Sequence, residues 1–144
     1  THHTPHNSTR IEKWGATVSF FMLRLLMQRL PLDDILGKFG VQVPSKCFCC
    51  LMVVGESIEH IFATGQLAVE IWDSFGSTCG IFLPKVPLRD RLIAWWLSAH
   101  FDAQRRFAIS ILPSFICWHI WKARNKEVLE GLKLTCGEIY HGIL

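Results

Sequence analysis

Apolar positions along the chain cluster at helical spacing, and no segment alternates convincingly between apolar and polar residues. VSFFMLRLLMQRL, from Val18 to Leu30, is apolar nearly all round, with Arg24, Gln28 and Arg29 as a thin polar strip, which predicts a largely buried helix. Pro31 stops it. Asp33 or Asp34 then caps a short helix, DDILGKF, Gly40 follows its end, and VQVPSK continues in extended form. Ser57 is placed to cap a helix through Phe62. Gly65 separates it from a second helix beginning near Gln66, with Leu67, Ile71, Trp72 and Phe75 on one face. GSTCGIFLPKVP, residues 76–87, reads as a loop. A helix near 88–99 turns Leu88, Leu92, Trp95 and Trp96 inward, and a long helix runs from about Asp102 through Pro113 to Glu130, ahead of Gly131. A short helix over 135–143 completes a mainly α fold, an irregular helical domain.

A chain of 144 residues suits one domain with its own core. We divide it into a linker or disordered segment at 1–17, a helical domain at 18–130, and a short C-terminal helix at 131–144 that leads toward a further domain. The opening THHTPHNSTRIEKWGATV lacks the apolar run of a secretory signal and does not begin with Met, so a fragment of a longer protein is expected. Half of the residues are hydrophobic and 19% are charged, which argues strongly against a disordered chain and leaves apolar surface for a partner. The most apolar run, FAISILPSFICWHIW, spans 107–121 and falls short of the roughly 20 residues that cross a bilayer, so a buried helix is predicted and no membrane partner. Six cysteines, three of them within residues 47–50, are expected to be reduced thiols.

Candidate chemistry gathers at PSKCFCCLMVVGESIEHIFATG. Cys47 and Cys50 have C-x-x-C spacing, which aims two thiolates at one point, and His60 adds a third corner of a tetrahedral zinc site. Gly65 stands where a fourth ligand would come from the next helix. Cys49, as a chain neighbour, points away from that centre, which leaves water or Cys79 folded back. The residues alone also admit a second reading, in which the cysteines are small core hydrophobes and His60 a hydrogen-bonded helix residue. Asp33 and Asp34 follow Pro31 at a helix start and serve as caps rather than as a polymerase metal pair. The carboxylates show no four-membered ribonuclease H cluster, and Cys50 with His60 lacks an oxyanion hole, so the chain is read as non-catalytic. A net charge of +3 is compatible with nucleic acid without demanding it. Arg105, Arg106, Lys122, Arg124 and Lys126 are the candidate phosphate contacts, although these basic residues read as a solvated face first and a phosphate contact second, while Trp118 and Trp121 are predicted core.

SKCFCC, ESIEHIF and the A-x-x-I-W spacing from Ala68 to Trp72 resemble the zinc-binding domain that follows the reverse transcriptase in plant LINE-type (non-LTR) retrotransposon polyproteins. VSFFMLRLLMQRLPLDDILGKFGV is similar to the family segment F-x-W-R-L-x-x-x-x-L-P-T-x-x-x-L-x-x-R-G, with Met22 and Leu32 in place of its Trp and Thr. WHIWKARN at 118–125 is similar to its W-x-I-W-K-x-R-N signature ahead of ribonuclease H. The resemblance implies that Cys47, Cys50 and His60 are zinc ligands, that the family's last cysteine corresponds to Gly65, and that a zinc-knuckle-like loop is present. It also implies a non-catalytic accessory role beside the reverse transcriptase and ribonuclease H regions of the parent polyprotein, contact with RNA or DNA, and residence in the nucleus. The alternative is a degenerate or domesticated protein-interaction module that binds neither metal nor nucleic acid.

Overall fold

The computed structural model describes residues 5–32, 57–81, 85–98 and 103–143, the side chains of 5–14 and 103–104 excepted. The expected caps Asp33 and Asp34, the short helix DDILGKF, Gly40 and VQVPSK lie outside them. Among the described residues all regular structure is helical: α1 (Pro5–Leu26), a single π turn (His60–Thr64), α2 (Gln66–Cys79), α3 (Leu88–Leu97), α4 (Ala103–Glu130) and α5 (Cys136–Ile143). No described helix is long and apolar enough to cross a membrane.

Helix α1 starts at Pro5, so residues expected as a linker are helical; proline opens a helix without losing a bond, because the first N–H groups have no partner within the helix. It ends where Gln28 turns left-handed (φ 55°). There the Arg29 N–H reaches the Arg24 carbonyl at 2.8 Å and the Gln28 N–H reaches Leu25 at 3.0 Å. Its buried residues, Val18, Phe21, Met22 and Leu25, follow the i, i+3, i+4, i+7 spacing of one face, whereas Phe20, Leu23, Leu26 and Met27 are exposed. The helix is therefore amphipathic in its environment and not buried all round. Helix α2 extends through residues 76–79, which composition had suggested were loop, because Gly80 and not Gly76 adopts the left-handed cap (φ 69°).

Helices α3 and α4 meet beside the proline inside α4. Pro113 lies inside α4 and lacks the N–H that would bond the carbonyl of residue 109. The Trp95 indole N–H supplies that bond, 2.9 Å from the Ile109 carbonyl, and the Trp96 indole N–H bonds the next carbonyl, Ser110, at 2.9 Å. Trp95 is fully buried, but Trp96 is 41% exposed, which corrects the inward assignment; Arg91 takes the inward place beside Leu88, Leu92 and Trp95. Helix α5 opens with a reciprocal cap: the Glu138 N–H donates to Thr135 Oγ1 at 3.2 Å, and the Thr135 N–H donates to Glu138 Oε2 at 3.4 Å. Ile139 buries its side chain, Tyr140 packs on Phe75 with ring centres 4.5 Å apart, and its hydroxyl bonds that of Thr78, so α5 docks on α2.

The core is one cluster in which every helix takes part. Phe21 of α1 meets Phe62 of the π turn at 6.1 Å, Trp118 of α4 edge-on at 5.3 Å and Trp121 at 6.2 Å; Trp72 meets Trp95 edge-on at 5.8 Å. Trp118 and Trp121 pack at the margin of the core, half-buried.

Replacing Trp95 by Phe should cost about 1 kcal/mol or more, because the half-buried Ile109 carbonyl is left without a donor. In a Pro113→Ala background the new backbone N–H can reach that carbonyl, so the same substitution should cost at least about 0.5–1 kcal/mol less. Urea unfolding of the four proteins in the cycle checks this; equal costs in both backgrounds would contradict the account.

Candidate metal and nucleic-acid sites

His60 opens the π turn. Its backbone N–H bonds Ser57 Oγ at 3.2 Å, the expected helix cap, and its side chain is half-buried. At the other end the Gly65 N–H donates to the His60 carbonyl at 2.6 Å, so the backbones of residues 60 and 65 are in contact across five residues. Ile61, Phe62 and Ala63 between them are fully buried. The turn leaves terminal carbonyls without partners of its own, and distant side chains satisfy two of them. The Trp72 indole N–H bonds the Phe62 carbonyl at 2.8 Å, and Arg91 Nη1 bonds the Ala63 carbonyl at 2.9 Å. Glu59, immediately before the turn, reaches in the opposite direction and accepts the Leu88 N–H at 3.0 Å, capping α3. His60 thus sits on a turn clamped from α2 and α3.

Cys47, Cys49 and Cys50 lie outside the described residues. Among those that are described, no three His, Cys, Asp or Glu side chains gather as a metal site. Cys79 stands at the far end of α2, roughly 20 Å along the helix from Gly65 by the rise per residue. That distance removes it as a fourth ligand beside His60. Burial also pushes its thiol up, away from the thiolate a metal needs. Cys117 and Cys136 are likewise free thiols; burial raises both, and the charge of Glu70 raises Cys136 further.

The basic candidates do not form one face. Arg105 and Arg106 are exposed near the start of α4, roughly 24 Å along the helix from Lys122. Arg124 is only 7% exposed, with its guanidinium 5.2 Å from the Trp121 ring centre and bonded to Asn125 Oδ1 at 3.2 Å. Lys122 and Lys126, four residues apart, line one cavity of about 310 Å³ between α4 and α5, together with His119, Ile139 and Glu138. Burial, and secondly the charge of Lys126, lowers the Lys122 ammonium. Burial, then the charge of Lys122, lowers His119 to about 4, so its imidazole is neutral at pH 7. This cavity is therefore a recess with two cations, one carboxylate and a neutral imidazole. Its i, i+4 lysine pair was readable from the sequence, as was the helical offset that sends Arg124 to the other side.

Residues 5–72 match a protein-family model described as zinc-binding in reverse transcriptase. The match covers α1, the C-x-x-C segment, the π turn and the first half of α2, and the domain it describes is an accessory one rather than a catalytic one. No curated protein and no solved structure matches the chain.

Between about pH 6.5 and 4 the unfolded chain holds a proton on His119 that the folded chain does not. The stability contributed by keeping this group neutral is complete above that window and is lost as pH falls through it. Urea midpoints measured from pH 7 to 4.5 should fall, and His119→Gln should make the fall shallower. An unchanged pH dependence in the variant would show that this imidazole does not report burial.

Proposed function

We propose that the chain is a non-catalytic accessory domain of a plant LINE-type reverse transcriptase polyprotein, lying between its reverse transcriptase and ribonuclease H regions. In this reading Cys47, Cys50 and His60 hold a structural zinc ion, and the domain presents Lys122 and Lys126 to the phosphates of RNA or DNA. The observation that carries the reading is the family match over residues 5–72, which spans both the C-x-x-C pair and His60. The donor set fits the ion, since two thiols and an imidazole are the ligands that structural zinc prefers. Support for a fixed third ligand comes from the clamped turn: Ser57 holds the His60 N–H, while Trp72 and Arg91 hold the carbonyls that follow. Bound zinc would tie the knuckle to this turn and add its binding free energy to folding.

Position 65 is the natural place for a fourth thiolate, because its backbone already touches that of His60. Gly65→Cys should tighten zinc at least about tenfold in competition with a chelator, since a fourth protein ligand closes the tetrahedron. Equal affinities would contradict placement of the ion beside this turn.

Nucleic-acid binding should be largely independent of sequence and should weaken steeply with salt, as counterions are released from the phosphates. Replacing Lys122 and Lys126 by Ala should flatten the plot of log affinity against log salt by up to about two contacts. Arg124→Ala should instead destabilise the fold, as its guanidinium packs on Trp121. Absence of retention at low salt by the folded protein would favour the interaction-module reading.

A further inference from the structure

Helix α1 has a second apolar face. Opposite the side that buries Val18, Phe21, Met22 and Leu25, the residues Ala16, Phe20, Leu23 and Met27 are exposed at 4-3-4 spacing, the a and d positions of a heptad. Phe20 is 68% exposed, Leu23 54%, Met27 49% and the flanking Leu26 48%. Met27 keeps the helical register, since its N–H bonds the Leu23 carbonyl at 3.0 Å. Scattered exposed apolar residues need no explanation, but several in one stripe mark a surface that another apolar surface covers. The charge along the stripe has one sign: between residues 15 and 32 the only charged side chains are Arg24 and Arg29, both exposed. The charges beside the aromatic partners of Phe21 are basic too, with Lys122 over the Trp118 ring and Arg124 over the Trp121 ring.

A second copy of α1 does not answer this charge. Arg24 follows Leu23 at an e position, which faces e of an antiparallel partner and g of a parallel one. An antiparallel pair crossing at Leu23 therefore sets Arg24 against Arg24, and a parallel pair sets it against Ser19, so neither supplies a carboxylate. We propose that this face of α1 docks one amphipathic helix of a partner protein. Apolar residues at the a and d positions of that helix meet Phe20, Leu23 and Met27, and Asp or Glu residues beside them pair with Arg24 and Arg29. The face shares no residue with the candidate zinc ligands or the Lys122–Lys126 recess, and docking there requires neither zinc nor nucleic acid.

The test uses the full chain and two synthetic four-heptad peptides as probes, both with Leu at every a and d position, one with Glu and the other with Lys at every e and g position. In fluorescence anisotropy with labelled peptide, one Glu peptide should bind per chain, at least about fivefold more tightly than the Lys peptide, because the arginine contacts change from attraction to repulsion. Leu23→Glu removes the middle of the stripe and should weaken the Glu peptide at least about tenfold, the loss expected for one buried leucine. Arg24→Glu should lower the ratio of the two affinities at least about fivefold. Leu97→Glu, at a position 72% exposed on α3, should change neither affinity. All three positions are exposed, so the variants keep the fold. The proposal is overturned if neither peptide binds, if both bind equally, if Leu23→Glu leaves binding unchanged, or if Arg24→Glu leaves the ratio unchanged. Sedimentation of the protein alone that shows a dimer dissociated by Leu23→Glu would also overturn it, since the face would then belong to a second copy.

Discussion

Side chains from α2 and α3 hold the carbonyls of one π turn, and the remainder of the structure is arranged around that constraint. A turn with i→i+5 bonds does not continue into the next helix, so its last carbonyls need donors from elsewhere. Trp72 and Arg91 provide them. Because both donors are themselves buried, the turn can exist only when α2 and α3 are in place. The dependence runs both ways: Glu59 caps α3, and Phe62 fills the space between α1 and Trp121 of α4. His60 lies at the head of this turn, so any function that uses its imidazole draws on the packing of the whole domain.

The same device recurs at Pro113, where the Trp95 indole N–H replaces a missing backbone donor. In each place a helical irregularity is stabilised by a side chain from a neighbouring element. Such sites fix how helices meet more tightly than apolar contact alone, since a misplaced donor leaves a buried carbonyl unpaired. Two cavities lie among the described residues. One lies beside the clamped turn, where Arg91 serves both as carbonyl donor and as cavity wall. The other forms where the capped helix α5 returns against α4.

Much of the helical framework was legible because periodicity and caps are local properties. Ser57 as a cap, the face of Leu67, Ile71, Trp72 and Phe75, and the end of α4 at Gly131 all follow from spacing and turn chemistry. Trp96 was misplaced because it neighbours Trp95, and one helical residue turns the side chain by about 100°. Arg91 stands at the correct inward spacing, but an arginine there is ordinarily counted as solvent-facing; its role depends on the Ala63 carbonyl, which is distant in sequence. The π turn was hidden for the same reason. The polar composition of residues 5–17 masked the start of α1, whereas the Thr135-Cys136-Gly137-Glu138 cap was a readable signal. Of Cys47, Cys50 and His60, only His60 falls among the described residues, and Cys79, left open by spacing, is excluded by the length of α2.

The central claim is that zinc joins the C-x-x-C pair to His60 at the head of the clamped turn. Zinc X-ray absorption on protein purified without chelator and loaded with one equivalent of metal tests it most directly. The account predicts a shell containing two sulfur atoms near about 2.3 Å and an imidazole nitrogen near about 2.0–2.1 Å. A shell of oxygen and nitrogen alone, or a protein that does not retain the ion, would contradict it.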